Sequence, residues 1–192
     1  TSNRSTGSNA QQQTVRCISL WQPWASLMSL NIKHVETRHW NTHIRGEVYI
    51  HCAKTLEGIA QVNQMDPEII AKFEQALGLK IWDWKSKLPF QKLIGKGNLI
   101  NCVSTQQALI AYPEQEPWGN FAPGRFGHIY DELSAINPIP MKGRQNFFHA
   151  TIPSQPSSIT TSDSEESQSS NPSRIQRKRT KGWKMPENTI SV

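Results

Sequence analysis

All but one of the aromatic residues of the chain lie in one central segment, which sets the size of any folded domain. All six Phe, all three Tyr and six of the seven Trp lie between residues 14 and 152. Residues 1–13 contain no large apolar side chain, and residues 153–180 consist largely of Ser, Pro, Gln, Thr and charged residues. Such segments cannot bury enough apolar surface to offset the entropy lost on ordering. We therefore expect one domain at 14–152, a disordered segment at 1–13 and a low-complexity linker at 153–180.

Short apolar runs separated by turn residues predict more strands than helices. The clearest helix is expected at 67–77, where Asp66 can cap the first turn, Pro67 suits its first position and Gly78 can end it. Further helices are expected at 23–30 and 104–111, and strands at 15–20, 34–40, 47–52, 92–103, 125–130, 136–140 and 146–152. Helices set between strands indicate a mixed α+β domain with a barrel-like sheet.

The charge of the chain suits a polyanionic partner. Its net charge is +6 and its pI is about 9.4. Part of the excess belongs to a basic run in the tail, between Arg174 and Lys181. The folded segment is therefore less basic than the whole chain.

The cysteines predict free thiols rather than a metal site. Cys17, Cys52 and Cys102 are far apart, each lies in an apolar run, and none has the Cys or His spacing of a metal-ligand set. An odd number of thiols suits a reducing compartment. With no apolar stretch of membrane-spanning length, the sequence predicts a cytoplasmic protein without membrane contact, metal or cofactor.

Four side chains that could bind a ligand lie within one segment of eight residues. In an extended segment, Glu36, Arg38 and Trp40 alternate onto one face, and Lys33 lies at its entrance. Lys and Arg can hold a phosphate, Glu can accept from a base amino group, and Trp can stack on a base. The alternative is a solvated strand face with an ion pair that contributes little stability.

The motifs around this segment identify the chain as similar to a known family. The motifs are Ser19-Leu20, Gln22-Pro23-Trp24, Leu27, Lys33, Glu36-Thr37-Arg38, Trp40, His51-Cys52-Ala53-Lys54, Ile94-Gly95-Lys96-Gly97, the loop from Gly119 to Phe126, and Met141-Lys142-Gly143-Arg144-Gln145. Together they resemble, in order, the pattern of ASCH (activating signal cointegrator-1 homology) domains. Asn31 stands where that family usually has glycine, and asparagine also tolerates the left-handed turn.

The resemblance implies a fold and a site. The fold is PUA-like, a mixed β-barrel with flanking helices and a cleft beside the first helix. The family is linked to RNA, so single-stranded RNA or a nucleotide is the implied ligand. The residues implied to bind it are Trp24, Lys33, Glu36, Arg38, Trp40, His51, Lys54 and Arg125.

The resemblance also raises a catalytic alternative, because some relatives are amidohydrolases or ribonucleases. The amidohydrolase motif reads Lys-x-x-Thr, but Glu36 stands where that threonine would be, and Thr37 is one residue away. A ribonuclease could use Lys33 to neutralise a phosphate while His51 or Glu36 moves a proton. The catalytic candidates are thus Lys33, Glu36 and His51, and binding without catalysis is favoured.

The end of the chain resembles a different unit. Residues 181–192, with Gly182-Trp183 and Pro186, resemble the opening of an uncharacterised domain family of bacteria and phages. The sequence thus predicts the start of a second domain fused to the first. A third functional hypothesis follows, in which the first domain is a scaffold that positions this partner.

Overall fold

The computed structural model describes residues 11–154, which form a six-stranded sheet with flanking helices. The strands are β1 (Gln12–Leu20), β2 (Val35–Arg38), β3 (Gly46–Cys52), β4 (Lys92–Ser104), β5 (Phe126–Pro140) and β6 (Phe147–Pro153). The helices are α1 (Trp24–Ser29), α2 (Glu57–Val62), α3 (Pro67–Leu77), α4 (Trp84–Lys87) and α5 (Thr105–Ala111), with 3-10 turns at Ile81–Asp83 and Pro113–Trp118. The mixed α+β class predicted from the sequence is confirmed.

The first and last strands extend slightly past the predicted domain limits. The first strand begins at Gln12, inside the segment 1–13 predicted to be disordered, and the last strand ends at Pro153. These two terminal residues pair directly with each other across β1 and β6. The remaining predictions for residues 1–10, for the linker to 180 and for a second domain at 181–192 lie outside the described residues.

The six strands form an open sheet, so the β-barrel expected from the sequence is not closed within residues 11–154. Its strand order is β2-β5-β4-β3-β1-β6, and only β1 and β3 run parallel. Within residues 11–154 the two edge strands, β2 and β6, share no ladder. Aromatic side chains fill the space between these edges instead: the ring of Trp40, just after β2, lies 5.4 Å from that of Phe147 in β6. The edges therefore meet through packing and not through backbone hydrogen bonds.

The two strands predicted at 125–130 and 136–140 form one long strand. β5 pairs with β4 from Phe126 opposite Ser104 to Pro140 opposite Lys92. The register shifts at three places along this ladder, and Glu132 takes a φ of +50°. Such irregularities bend a strand without ending it, so the polar residues between the two apolar runs bend the strand instead of forming a turn.

Helix α1 packs against one face of the sheet. Its residues Ala25 and Met28 are fully buried against strand residues of β1, β3 and β4. Close approach depends on Gly95 in β4, where an added Cβ would lie 2.7 Å from the Cβ of Ser29. A side chain at position 95 would push the helix away from the sheet.

The remaining helices form a second core beside α1. Helix α3 runs over the predicted residues and ends at Gly78, whose φ is +64°, whereas the Asp66 side chain makes no capping hydrogen bond. Phe73 is the one buried residue of α3. It packs against Trp24 of α1 and Trp84 of α4, and this contact joins the second core to the first.

The predicted free thiols are observed. Cys17 and Cys52 are buried, and Cys102 is partly exposed. Burial raises the pKa of Cys17 and of Cys52 to about 12. Within residues 11–154, no helix is long and apolar enough to cross a membrane. No cluster of three or more His, Cys, Asp or Glu side chains in this part of the chain could hold a metal ion.

Candidate functional site

A cleft of about 750 Å³ opens between the start of α1 and the loop that follows the Pro113–Trp118 turn. Its volume lies within the range of small-molecule sites. Its lining consists of Ser19, Leu20, Trp21, Trp24, Lys33, Glu36, Thr37, Arg38, His39, Gln61, Gln64, Met65, Pro117, Trp118, Gly119, Asn120 and Arg125. The charged side chains among these are three cations and the single carboxylate of Glu36, so the lining favours an anionic ligand.

Lys33 lies beneath the cleft and is almost completely buried. Asn31, with a φ of +59°, ends α1 in the left-handed conformation that was expected, and the chain then turns into β2. The Lys33 ammonium donates hydrogen bonds to the carbonyl oxygens of Val35 and Trp118 and lies 3.3 Å from Glu36 Oε2. An ammonium has three protons, and these three acceptors match them. The side chain is thus fully engaged within the protein.

Glu36 connects Lys33 to Arg38. One carboxylate oxygen faces Lys33 at 3.3 Å, and the other lies 3.0 Å from Arg38 Nε. Burial alone would raise the pKa of Glu36, but the charges of Lys33 and Arg38 outweigh it and hold that pKa below its usual range. Burial also lowers the pKa of Lys33, and the Glu36 carboxylate opposes that shift. With both oxygens already occupied by cations, Glu36 is placed to orient Arg38.

Two arginines at the cleft, Arg38 and Arg125, each donate to backbone carbonyl oxygens. Arg38 donates from Nη2 to the Ser19 carbonyl at 2.8 Å. Arg125 donates from Nε to the Asn120 carbonyl at 3.2 Å and from Nη2 to the Thr37 carbonyl at 3.1 Å. Within residues 11–154, Nη1 of neither arginine has a hydrogen-bond partner. Arg38 is thus held by one carbonyl and by Glu36, and Arg125 by two carbonyls, while Nη1 of each could donate to an anion.

The loop opposite α1 is fixed by a buried glutamine. The side chain of Gln115 accepts from the backbone N–H of His34 at 2.6 Å and donates to the Ile32 carbonyl at 3.2 Å. Thr37 Oγ1 accepts from the backbone N–H of Asn120 at 3.1 Å. Together with the Lys33 bond to Trp118, these contacts attach the loop to β2 and define the second wall of the cleft.

Tryptophans form the apolar surfaces of the cleft. The rings of Trp24 and Trp118 both pack edge-on against Phe73, at centroid distances of 6.2 Å and 5.0 Å. Trp21, at the mouth, is exposed. Flat aromatic surfaces beside cations are the arrangement on which nucleic-acid bases stack.

Five of the predicted binding residues line the cleft: Trp24, Lys33, Glu36, Arg38 and Arg125. Trp40, His51 and Lys54 do not line it. The alternation that assigned Trp40 to the face of Arg38 fails because β2 ends at Arg38. The Trp40 ring packs instead on His128, with centroids 4.6 Å apart. Lys54 is exposed just beyond β3.

His51 makes contacts that fit a structural role. Its Nε2 lies 3.1 Å from the Met141 carbonyl and its Nδ1 lies 2.9 Å from Ser19 Oγ. Since a carbonyl only accepts, Nε2 carries the proton and the Ser19 hydroxyl donates to Nδ1. Burial lowers the pKa of His51, so the neutral ring is favoured. Its predicted part in catalysis stays a prediction.

Sequence reasoning missed several residues of the site. Gln61, Gln64 and Met65 line the cleft, but they lie in and just after α2, which lacks the strong periodicity that predicts a helix. Trp21 lies between Leu20 and Gln22, inside the N-terminal motif, and this position is the signal that could have identified it as a binding residue. His128 does not line the cleft but is buried opposite Glu36 on β5. It has no marker in the sequence, because the pairing of β2 with β5 creates its position.

Comparison with known proteins agrees with the resemblance seen in the motifs. No family model matches the chain. The chain is similar to activating signal cointegrator 1 of Homo sapiens, with 31% identity over 101 residues, and to that of Mus musculus, with 31% identity over 98 residues. Each match covers 51% of this chain but 16% of the relative, so the chain spans about a sixth of the length of these proteins.

Two solved structures show similarity at low sequence identity. The crystal structure of ASCH from Zymomonas mobilis is 14% identical, with a TM-score of 0.39, over 65% of this chain and 72% of that one. A mutant form of the same protein is 13% identical, with a TM-score of 0.37, over 65% and 74% of the two chains.

Proposed function

Because this chain contains an ASCH domain, we propose that it binds single-stranded RNA or a nucleotide in the cleft beside α1. The observation that carries the proposal is the pair of arginines, Arg38 and Arg125. Arg38 is held by the Ser19 carbonyl and by Glu36, Arg125 is held by two carbonyls, and both keep Nη1 without a partner in the described chain. A phosphate between two fixed guanidiniums would gain charge-assisted hydrogen bonds at little cost in side-chain entropy.

The walls of the cleft support a nucleotide over a simple anion. Trp24, Trp118 and the exposed Trp21 provide flat apolar surfaces within the same cleft as the two arginines. Stacking on an aromatic ring contributes about 1–3 kcal/mol per base and tolerates different bases. The cleft would thus hold the phosphate at one side and the base at the other.

The test is to measure binding of a nucleoside monophosphate and of a short single-stranded RNA to the wild type, Arg38→Ala and Arg125→Ala. Each substitution removes a charged hydrogen bond, so we expect binding to weaken about 10- to 100-fold. For the RNA, the slope of log affinity against log salt should fall by about 0.7 for each phosphate that the variant no longer neutralises.

The matched control is Arg45→Ala, since Arg45 is an exposed arginine that does not line the cleft. Its affinity and salt dependence should equal those of the wild type. Equal affinity in all four proteins, or binding that does not respond to salt, would refute the proposal.

The hydrolytic alternative has less support from the geometry. The three protons of Lys33 are directed at Val35, Trp118 and Glu36, and a carboxylate stands where the amidohydrolase motif has its threonine. To test for hydrolysis, single-stranded RNA and acetylated cytidine are each incubated with the wild type, and the products are analysed. We expect both to be recovered unchanged.

A further inference from the structure

Four segments of the chain meet at one end of the sheet, next to the cleft. In the ladders, Leu20 at the end of β1 pairs with Cys52, Cys52 with Lys92, and Lys92 with Pro140. The ends of β1 and β3, the start of β4 and the end of β5 therefore lie side by side. The segment that leaves β5, residues 141–146, crosses this end of the sheet to reach β6; we call it the strap.

The strap is anchored in place. The Met141 backbone donates to the Gln91 carbonyl at 3.0 Å, and the Met141 carbonyl accepts from His51. Gly143 lies directly against the His51 ring, and a Cβ added there would lie 2.6 Å from Ser19 Oγ. Only glycine allows this close approach. The strap therefore has a fixed position over Ser19 and His51.

The converging segments carry basic residues and no acidic ones. Residues 19–22, 51–55, 89–93 and 139–146 contain Lys54, Lys92, Lys142 and Arg144 and lack Asp and Glu. Lys54, Lys142 and Arg144 are exposed, and Lys92 is half-buried. The next acidic residue after Lys54 is Glu57, in α2, outside these segments.

These cations also differ from three of the other exposed lysines of the domain. Lys80, Lys87 and Lys96 each form an ion pair with a carboxylate. Within residues 11–154, none of the four cations at the end of the sheet forms one. An exposed group of unpaired like charges is the electrostatic pattern of a surface that binds a polyanion.

This basic surface is continuous with the cleft. Ser19 lines the cleft, its carbonyl holds Arg38, and its hydroxyl lies beneath Gly143 of the strap. A single residue thus separates the arginine of the cleft from the strap.

From this continuity we infer that the ligand is a single-stranded polynucleotide, whose backbone leaves the cleft past Ser19 and crosses the strap at Lys142 and Arg144. The inference rests on the proposed function of the cleft and specifies its ligand as a chain and not a free nucleotide. Arg38 and Arg125 hold one phosphate, and the strap contacts phosphates further along the same strand.

The test compares a nucleoside monophosphate with a single-stranded oligonucleotide of about six nucleotides, a length chosen to exceed the occupancy of one cleft. The variants are Lys142→Ala with Arg144→Ala, and Arg38→Ala. The strap variant should bind the oligonucleotide about tenfold more weakly and with a salt slope lower by about 1.4, while its affinity for the monophosphate stays unchanged. Arg38→Ala should weaken the binding of both ligands.

The matched control removes two other exposed lysines, Lys72 and Lys85, which lie in α3 and α4 and do not line the cleft. It should bind the oligonucleotide like the wild type. The inference is overturned if the strap variant and the control lose the same affinity, or if the wild type binds the monophosphate as tightly as the oligonucleotide. Failure of the proposed function gives a different result, in which Arg38→Ala binds both ligands like the wild type.

Discussion

Lys33 is among the largest fully buried side chains of the domain, although lysine is usually exposed. Taking an ammonium out of water is costly unless every proton finds an acceptor. Here two carbonyls and a carboxylate provide those acceptors. The residue therefore joins β2 to the loop carrying Trp118, and in doing so shapes the cleft.

Replacing Lys33 with Met tests this structural role. The substitution leaves Glu36 with Arg38 as its remaining ion-pair partner and removes the donor from two carbonyls. We expect the free energy of unfolding to fall by about 3–5 kcal/mol, measured by urea denaturation. The matched control is Lys96→Met, which breaks the more exposed pair with Glu47 and should cost less than about 1 kcal/mol. Equal losses in the two variants would contradict the role of Lys33.

The sequence predicts which charged side chains of the site lie close together, but it does not predict their burial or their hydrogen-bond partners. Spacing along one extended segment brings Lys33, Glu36 and Arg38 together, as observed. The same spacing gives no indication that Lys33 is buried, since its second carbonyl partner belongs to Trp118, distant in sequence. Long-range packing decides that point.

Phe73 is the one fully buried residue of helix α3. Its ring lies against the two tryptophans of the cleft wall, Trp24 and Trp118. Local signals predict the limits of α3 well, because Pro67 and Gly78 act at its two ends. No local signal indicates that the helix supports the site.

Replacing Phe73 with Leu tests this support. The substitution keeps an apolar side chain but removes the edge-on aromatic contacts, so we expect a loss of about 1–1.5 kcal/mol in the free energy of unfolding. Nucleotide binding should weaken as well, because Trp24 and Trp118 lose the surface that fixes their orientation. The control is Ile110→Ala in α5, an exposed apolar residue whose loss should change stability by less than about 0.5 kcal/mol. Unchanged binding in Phe73→Leu would show that α3 does not support the site.

Two features of the sheet, the length of β5 and its open edges, could not be predicted from local sequence. Apolar runs locate every strand, yet the runs in β5 predict two strands because a bend and a turn have similar local composition. The barrel implied by resemblance is an open sheet, since aromatic packing between Trp40 and Phe147 takes the place of a ladder. Both outcomes depend on contacts between distant strands.

We expect two buried histidines, His51 and His128, to make the stability of the domain depend on pH. Burial lowers the pKa of His51 and of His128, with the carbonyls of Met141 and Trp40 opposing the shift. In the unfolded chain a histidine titrates near pH 6.5. Below that pH the unfolded state binds more protons than the folded state, so the folded state loses stability as pH falls. The stabilisation that each neutral histidine provides is fully present above the pKa that histidine has in the unfolded chain.

We therefore expect the free energy of unfolding to decrease from pH 7.5 to pH 5.5, with each histidine contributing at most about 1.4 kcal/mol per pH unit. Urea denaturation across this range measures it. In His128→Gln the decrease should be smaller, whatever the stability of the variant at pH 7.5. An identical decrease in both proteins would exclude His128 as a source of the pH dependence.

The pairing of β1 with β6 has a consequence for how the domain connects to other sequences. Gln12 and Pro153 are partners in the same ladder, so both ends of the domain lie at one corner of the sheet, about 5 Å apart. A host protein could therefore receive this unit within a surface loop without separating the two sides of that loop. During synthesis, β1 is made at the start of the domain and its antiparallel partner β6 at the end. β1 therefore cannot pair with β6 until nearly the entire domain has been synthesised.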